Sequence, residues 1–127
     1  MPLKVFKKGE TICNEETCGT EMYIILSGRV KVYITINNEK IEVGDFKEDE
    51  FFGEMSLLLD EPRSATVEAF EKTEVMIVDK DSLLKKIRED PEFAWTALQT
   101  MARRLKLAHG VISQIEGEKK SLEIMHK

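Results

Sequence analysis

The chain has 127 residues, a length that suits one domain with a real hydrophobic core and no need of cross-links. Its 19 lysines and arginines stand against 24 aspartates and glutamates, a net charge of -5, so a direct grip on DNA by a basic face is not expected. No apolar run approaches the roughly 20 residues that cross a membrane, and lysines at 4, 7 and 8 interrupt the stretch a signal peptide would need, so a cytoplasmic protein is the expectation.

Chemistry-bearing residues are few. Cys13 and Cys18 lie five residues apart, and a disulfide between them is not expected in a reducing compartment. The histidines, His109 and His126, lie far from both, so four clustered metal ligands are lacking. Residues 1–80 contain no histidine, which argues against a metal-dependent enzyme of cupin type. No enzymatic activity and no metal or other cofactor is expected.

Taken in chain order, Val5 and Phe6 open a first apolar patch, closed by a turn at Lys8-Gly9-Glu10. Thr11-Ile12-Cys13 is a short run, and Asn14 to Thr20 is polar loop. Met22 to Leu26 reads as a buried strand, and Ser27-Gly28 as a two-residue hairpin turn. Val30, Val32, Ile34 and Ile36 then alternate with polar or amphipathic partners, the period of a half-buried strand. Asn37-Asn38 turns the chain back, Ile41 and Val43 repeat the alternation, and Gly44-Asp45 and Glu48-Asp49-Glu50 read as loop. Phe52-Gly53 breaks the period, and Met55 to Leu59 form a short helix that Pro62 ends. Ser64 to Ala69 and Thr73 to Val78 are the last strands. Seven or eight short strands over residues 3–80 argue for a sandwich or jelly roll.

Composition changes at Asp79. Asp81 or Ser82 can cap a helix running to about Glu89, and Asp90-Pro91 starts a long one. Along it Ala94, Leu98, Met101, Leu105, Ala108, Ile112 and Ile115 step by four and three, an a/d seam that suits a homodimer through residues 91–115. Domain organisation is therefore expected as a β-roll over 1–80, helices over 81–115 and a charged tail over 116–127.

The stretch from Phe51 to Val67 organises the rest. A helix N-terminus at Gly53-Glu54 favours an anion, and Gly53 lets backbone approach closely. Arg63 offers a planar fork that matches two phosphate oxygens, whereas ionised Glu54 only accepts hydrogen bonds and suits a sugar hydroxyl. If no ligand is bound, Glu54 and Arg63 are expected to pair with each other. An anion site beside a hydroxyl acceptor describes a ribose phosphate.

Phe52-Gly53-Glu54 followed by Pro62-Arg63-Ser64-Ala65-Thr66-Val67 resembles the phosphate-binding cassette of cyclic nucleotide-binding domains. That family includes catabolite-activator-type regulators, regulatory subunits of cyclic-nucleotide kinases and gated channels. The resemblance covers nearly all of residues 3–80 and implies a mainly β fold, a double-stranded β-roll followed by a short helix and a long C-terminal helix. It implies that Arg63 pairs with the exocyclic oxygens of a cyclic phosphate and that Glu54 accepts from the ribose 2′-hydroxyl. Gly53, backbone N–H groups near Glu54, Met55 and Ser56, and then Ser64 and Ala65, complete the phosphate shell.

The chain departs from the family pattern at Glu16-Thr17, where a Gly-Asp pair is common, and near Asp49, where a glycine is usual. Met101-Ala102-Arg103-Arg104-Leu105 also resembles a family phrase. Alignment on it places Ala108-His109 where the dimeric transcription factors carry hydroxyl side chains against the purine, which makes His109 the candidate base contact. The resemblance favours cyclic AMP as ligand and a regulatory module that relays occupancy through the long helix to a dimer partner or effector. The alternative is a dimerisation or structural module with a decayed site. A helix-turn-helix output domain is not expected in residues 116–127, so the chain is either a stand-alone sensor or a fragment.

Overall fold

A computed structural model describes the backbone of residues 1–17 and 19–125, and side chains as far as Gly110 except at Cys18. The expectations placed on Cys18, on the side chains of Ile112 and Ile115 and on His126 lie outside the described residues. The chain divides into two compact units, Met1–Lys85 and Lys86–Lys127.

The first unit holds eight strands: β1 (Leu3–Phe6), β2 (Thr11–Cys13), β3 (Met22–Ser27), β4 (Arg29–Ile36), β5 (Glu39–Lys47), β6 (Phe51–Phe52), β7 (Thr66–Ala69) and β8 (Thr73–Val78). A short helix, α1 (Glu54–Leu59), interrupts them, and α2 (Lys80–Glu89) follows. The strands form two four-stranded antiparallel sheets, ordered β1-β8-β3-β6 and β2-β7-β4-β5. This is the mainly β roll expected from the strand pattern.

The alternation of apolar side chains explains why the sheets close on each other. Phe6, Ile25, Phe52 and Val75 from one sheet meet Cys13, Val30, Val67 and Ala69 from the other. Ile25, Val30 and Val75 are fully buried, and each such side chain contributes about 1.5–3 kcal/mol of transfer free energy. The Lys8-Gly9-Glu10 turn is present, closed by Glu10 N–H donating to the Lys7 carbonyl at 3.0 Å.

Three local readings are corrected. Ser27-Gly28 is no hairpin turn, because β3 and β4 belong to different sheets and Gly28 is the crossing between them. Gly28 has φ +98°, and a Cβ there would lie 2.5 Å from the Lys72 carbonyl oxygen, so the crossing needs glycine for both conformation and space. Gly44-Asp45 is not loop but the middle of β5, since β4 supplies ladder partners as far as Arg29↔Lys47. A bulge opposite Val32 and Tyr33 absorbs one residue and leaves Val43 on the exposed side. The cap of α2 is Asp79 rather than Asp81 or Ser82: Ser82 N–H donates to Asp79 Oδ1 at 2.8 Å, which holds the exposed Asp79 carboxyl below its usual range.

The Asn37-Asn38 turn is as expected. Both residues are left-handed, φ 52° and 64°, and Ile36 faces Glu39, which is the two-residue turn whose twist matches its strands.

The second unit carries the end of α2 and a long helix, α3 (Pro91–Met125). Phe93 N–H donates to Asp90 Oδ1 at 3.4 Å, so Asp90 and Pro91 occupy the cap and first-turn positions expected of them. Helical backbone continues through residues 116–125, where a charged tail was expected. Leu98, Leu105 and Leu107 are exposed on α3.

Candidate ligand-binding site

The turn between β6 and β7 encloses one side of a cavity of about 150 Å³. Val32, Phe46, Phe52 and Val67 supply apolar wall from both sheets, and Cys13 lies among them. The polar lining comes from one continuous piece of chain, Gly53 to Ser56 and then Arg63 and Ser64. A mostly apolar concavity with a few convergent polar groups is the usual form of a small-molecule site.

Local sequence builds that piece of chain. Gly53 adopts φ +80° and precedes α1, whose six residues end at Leu59 and are capped by Asp60, itself left-handed at φ 54°. Pro62 then prevents the helix from resuming. Glu54 sits in the first turn, where the N-terminal end of the helix favours a carboxylate. Ser56 is buried, and Met55 is exposed at the rim. Ser64 and Ala65 lie in the bend ahead of β7, not in the strand as alternation suggested. All seven cassette residues singled out from the sequence therefore line one cavity: Gly53, Glu54, Met55, Ser56, Arg63, Ser64 and Ala65. His109 lies on α3, exposed, in the second unit.

Arg63 is the unusual group. Its side chain is buried, at 6% of full exposure. Nη1 donates to the carbonyl oxygens of Glu21 at 2.7 Å and Gly53 at 3.3 Å. The guanidinium carbon lies 5.5 Å from the centre of the Tyr23 ring. Ion pairs among the described residues join Arg29 to Asp45, Lys31 to Glu42 and Lys40 to Glu68. Two carbonyls of the surrounding loops hold Nη1 of Arg63. A guanidinium's Nε–Nη2 edge is the geometry that suits a bidentate grip on an anion.

Two glycines make room for this arrangement. A Cβ at Gly19 would lie 2.3 Å from Nη2, and one at Gly53 would lie 2.8 Å from Nη1. Gly53, expected to admit a ligand, also makes room for the arginine. Gly19, Tyr23 and the Glu21 carbonyl carried no functional expectation, since they lie 40 or more positions from Arg63 and only the β-roll brings them there. The loop after β2 reads from the sequence only as polar loop. Yet Glu16 N–H donates to the Arg63 carbonyl at 2.7 Å, and Arg63 N–H donates to the Thr17 carbonyl at 2.9 Å. That loop therefore pins the arginine backbone on both sides.

The two departures from glycine keep the backbone that glycine would favour. Glu16 has φ 63° and Asp49 has φ 70°. Asp49 is also locked by ladder-like bonds, its N–H donating to the Ile25 carbonyl at 2.9 Å while Ile25 N–H donates to Glu50. Left-handed conformation at such residues costs on the order of 1 kcal/mol or more, which the surrounding bonds offset.

The charge of Arg63 is felt by its neighbours. Burial pushes the Cys13 thiol above its ordinary range, with Arg63 opposing the shift. The same balance, burial first and Arg63 against it, raises the Tyr23 phenol. Cys13 is therefore a neutral thiol in the cavity wall, and Arg63 supplies a positive field there.

Comparison with known proteins agrees with this geometry. The family model described as "Cyclic nucleotide-binding domain" matches residues 3–90. A "Cyclic AMP receptor protein" of Thermus thermophilus is 31% identical over 106 residues, 83% of this chain and 49% of that one. A "cGMP-dependent protein kinase" of Plasmodium berghei is 47% identical over 68 residues, 54% of this chain and 8% of the kinase. The crystal structure of the Thermus thermophilus Catabolite Activator Protein superposes with a TM-score of 0.82 at 28% identity, covering 91% of this chain and 55% of that one. The chain thus spans about half the length of the Thermus relative and a small part of the kinase. On the family match, the cassette and the two-sheet roll that carries it, this chain belongs to the cyclic nucleotide-binding domain family.

Proposed function

We propose that the chain is a regulatory module, not an enzyme, that binds cyclic AMP in the cavity beside Arg63. One observation carries this reading: a buried guanidinium, held by loop carbonyls and an aromatic ring, stands at the wall of a cavity that also presents Glu54. A buried charge of this kind gains its counter-ion from the ligand. Arg63 takes the exocyclic oxygens through its Nε and Nη2 edge, and Glu54 accepts from the 2′-hydroxyl. The N–H groups from Glu54 to Ser56, together with Ser64, complete the phosphate shell.

Cyclic AMP is proposed over cyclic GMP mostly because the resemblance to the family favours it; Ser64, in place of the threonine that goes with cyclic GMP in some kinase relatives, is in keeping with that. Relatives named for each nucleotide are found. The alternative of a decayed site is less well supported, since Glu16 and Asp49 retain left-handed backbone around the cassette. Occupancy is relayed through α3, whose exposed Leu98 and Leu105 lie on the heptad seam and suit a second copy of the chain. His109 is the proposed base contact. No helix among the described residues is long and apolar enough to span a membrane, and a cytoplasmic location is proposed.

A thermal-shift series with cyclic AMP, cyclic GMP and AMP tests the ligand assignment. A ligand at a hundred times its Kd stabilises by about 2.7 kcal/mol, so cyclic AMP is expected to raise the melting temperature most and AMP not at all. Equal shifts with cyclic AMP and AMP would remove the cyclic phosphate from the reading. No shift with any of the three would favour the decayed module.

A further inference from the structure

The way Arg63 is held raises a geometric problem. Its described hydrogen bonds both leave from Nη1, to the Glu21 and Gly53 carbonyls. Those bonds fix one nitrogen of the group, and the missing side chain of Gly19 leaves Nη2 its space. A bidentate grip on a phosphate tolerates little swing, because both remaining donors must meet oxygens at once.

The Tyr23 ring supplies a further point of support. The guanidinium carbon is over it at 5.5 Å, within the range of cation–π attraction. The ring is itself backed. Tyr23 on β3 stands opposite Phe52 on β6, and the two rings stack at 5.1 Å with 21° between their planes. Phe52 stacks in turn on Phe46 from β5 of the other sheet, at 6.0 Å and 8°. A column of three rings thus runs from the cavity wall to the guanidinium.

We infer that Tyr23 is a positioning residue: its ring face sets the plane of the Arg63 guanidinium before any ligand arrives. This rests on the reading of Arg63 as the phosphate ligand. The geometric claim stands apart from that reading and is testable without ligand. The effect needs the ring face of Tyr23 and not its hydroxyl, so phenylalanine should serve as well and an aliphatic side chain should not.

The experiment compares wild type, Tyr23→Phe and Tyr23→Leu. The Arg63 Nε–H resonance of the unliganded protein is identified by its loss in Arg63→Ala. In wild type and Tyr23→Phe this resonance is expected to be ring-current shifted, with a high order parameter. In Tyr23→Leu it is expected to lose the shift and become mobile on the nanosecond scale, while backbone amide spectra show the roll intact. Cyclic AMP affinity by calorimetry should fall about tenfold in Tyr23→Leu and recover to within about threefold of wild type in Tyr23→Phe. An unchanged Arg63 resonance in Tyr23→Leu would overturn the inference, as would equal losses of order in the leucine and phenylalanine variants. If Tyr23→Leu does not fold, Tyr23→Met supplies the aliphatic comparison with the same two outcomes. If Arg63→Ala binds cyclic AMP as wild type does, the ligand reading fails, and the resonance data decide the positioning claim alone.

Discussion

Arg29 and Arg63 stand at opposite ends of what a protein can do with a guanidinium. Arg29 is exposed on β4 and donates through Nη2 to Asp45 at 2.8 Å, with both side chains about half exposed, 53% and 50%. The hydrogen bond to Asp45, more than any other influence, raises its already high pKa. Water screens that pair, and it is complete as it stands. Arg63 is 6% exposed, with carbonyls and a ring around it. A charge that is desolvated and partly compensated is costly at rest and most stabilised when an anion joins it. The same side chain thus serves two ends: Arg29 completes a surface pair on a strand, while Arg63 is built to take its counter-ion from a ligand.

The largest test of that contrast is Arg63→Ala. Loss of a buried charged partner should weaken cyclic AMP binding by about 2–4 kcal/mol in calorimetry. Unchanged affinity would place the two arginines in the same class. Next comes Gly19→Ala, whose new methyl would stand 2.3 Å from Nη2 and push the guanidinium out of its slot. A loss of about 1–3 kcal/mol in binding is expected, with far-UV dichroism unchanged. Were binding to survive intact, the slot would be less confining than the contact implies.

Smaller effects should separate scaffold from grip. Asp49→Gly removes left-handed strain at φ 70° and should stabilise the fold by about 1 kcal/mol in urea melts, without altering affinity. A destabilised variant would mean that the aspartate side chain contributes more than its backbone costs. Arg29→Ala should be the smallest of all, with the urea midpoint and the cyclic AMP affinity both within error of wild type. A measurable fall in affinity there would show that the exposed pair communicates with the cavity.

Legibility followed the range of the interactions. The cassette could be read because its parts are local: a glycine at φ +80°, six helical residues, a left-handed cap and a proline lie within ten positions of Arg63. The Asn37-Asn38 turn was equally plain, as the residues themselves favour the conformation. Ser27-Gly28 misled because small residues signal a tight turn but do not say which sheet the next strand will join. Gly44-Asp45 misled for a related reason, since a long neighbouring strand recruits residues whose own preference is for loop.

Amino-acid order alone determined that this chain builds strands to about residue 78 and helices beyond, and that a carboxylate and a guanidinium flank one short turn of helix. Those features follow from backbone preference and periodicity, which act over a few residues. Only the closed roll decided that Gly19, Glu21 and Tyr23 would converge on Arg63. Such convergence depends on which strands pair and in what register, and that is settled by packing two whole sheets face to face rather than by any segment in them.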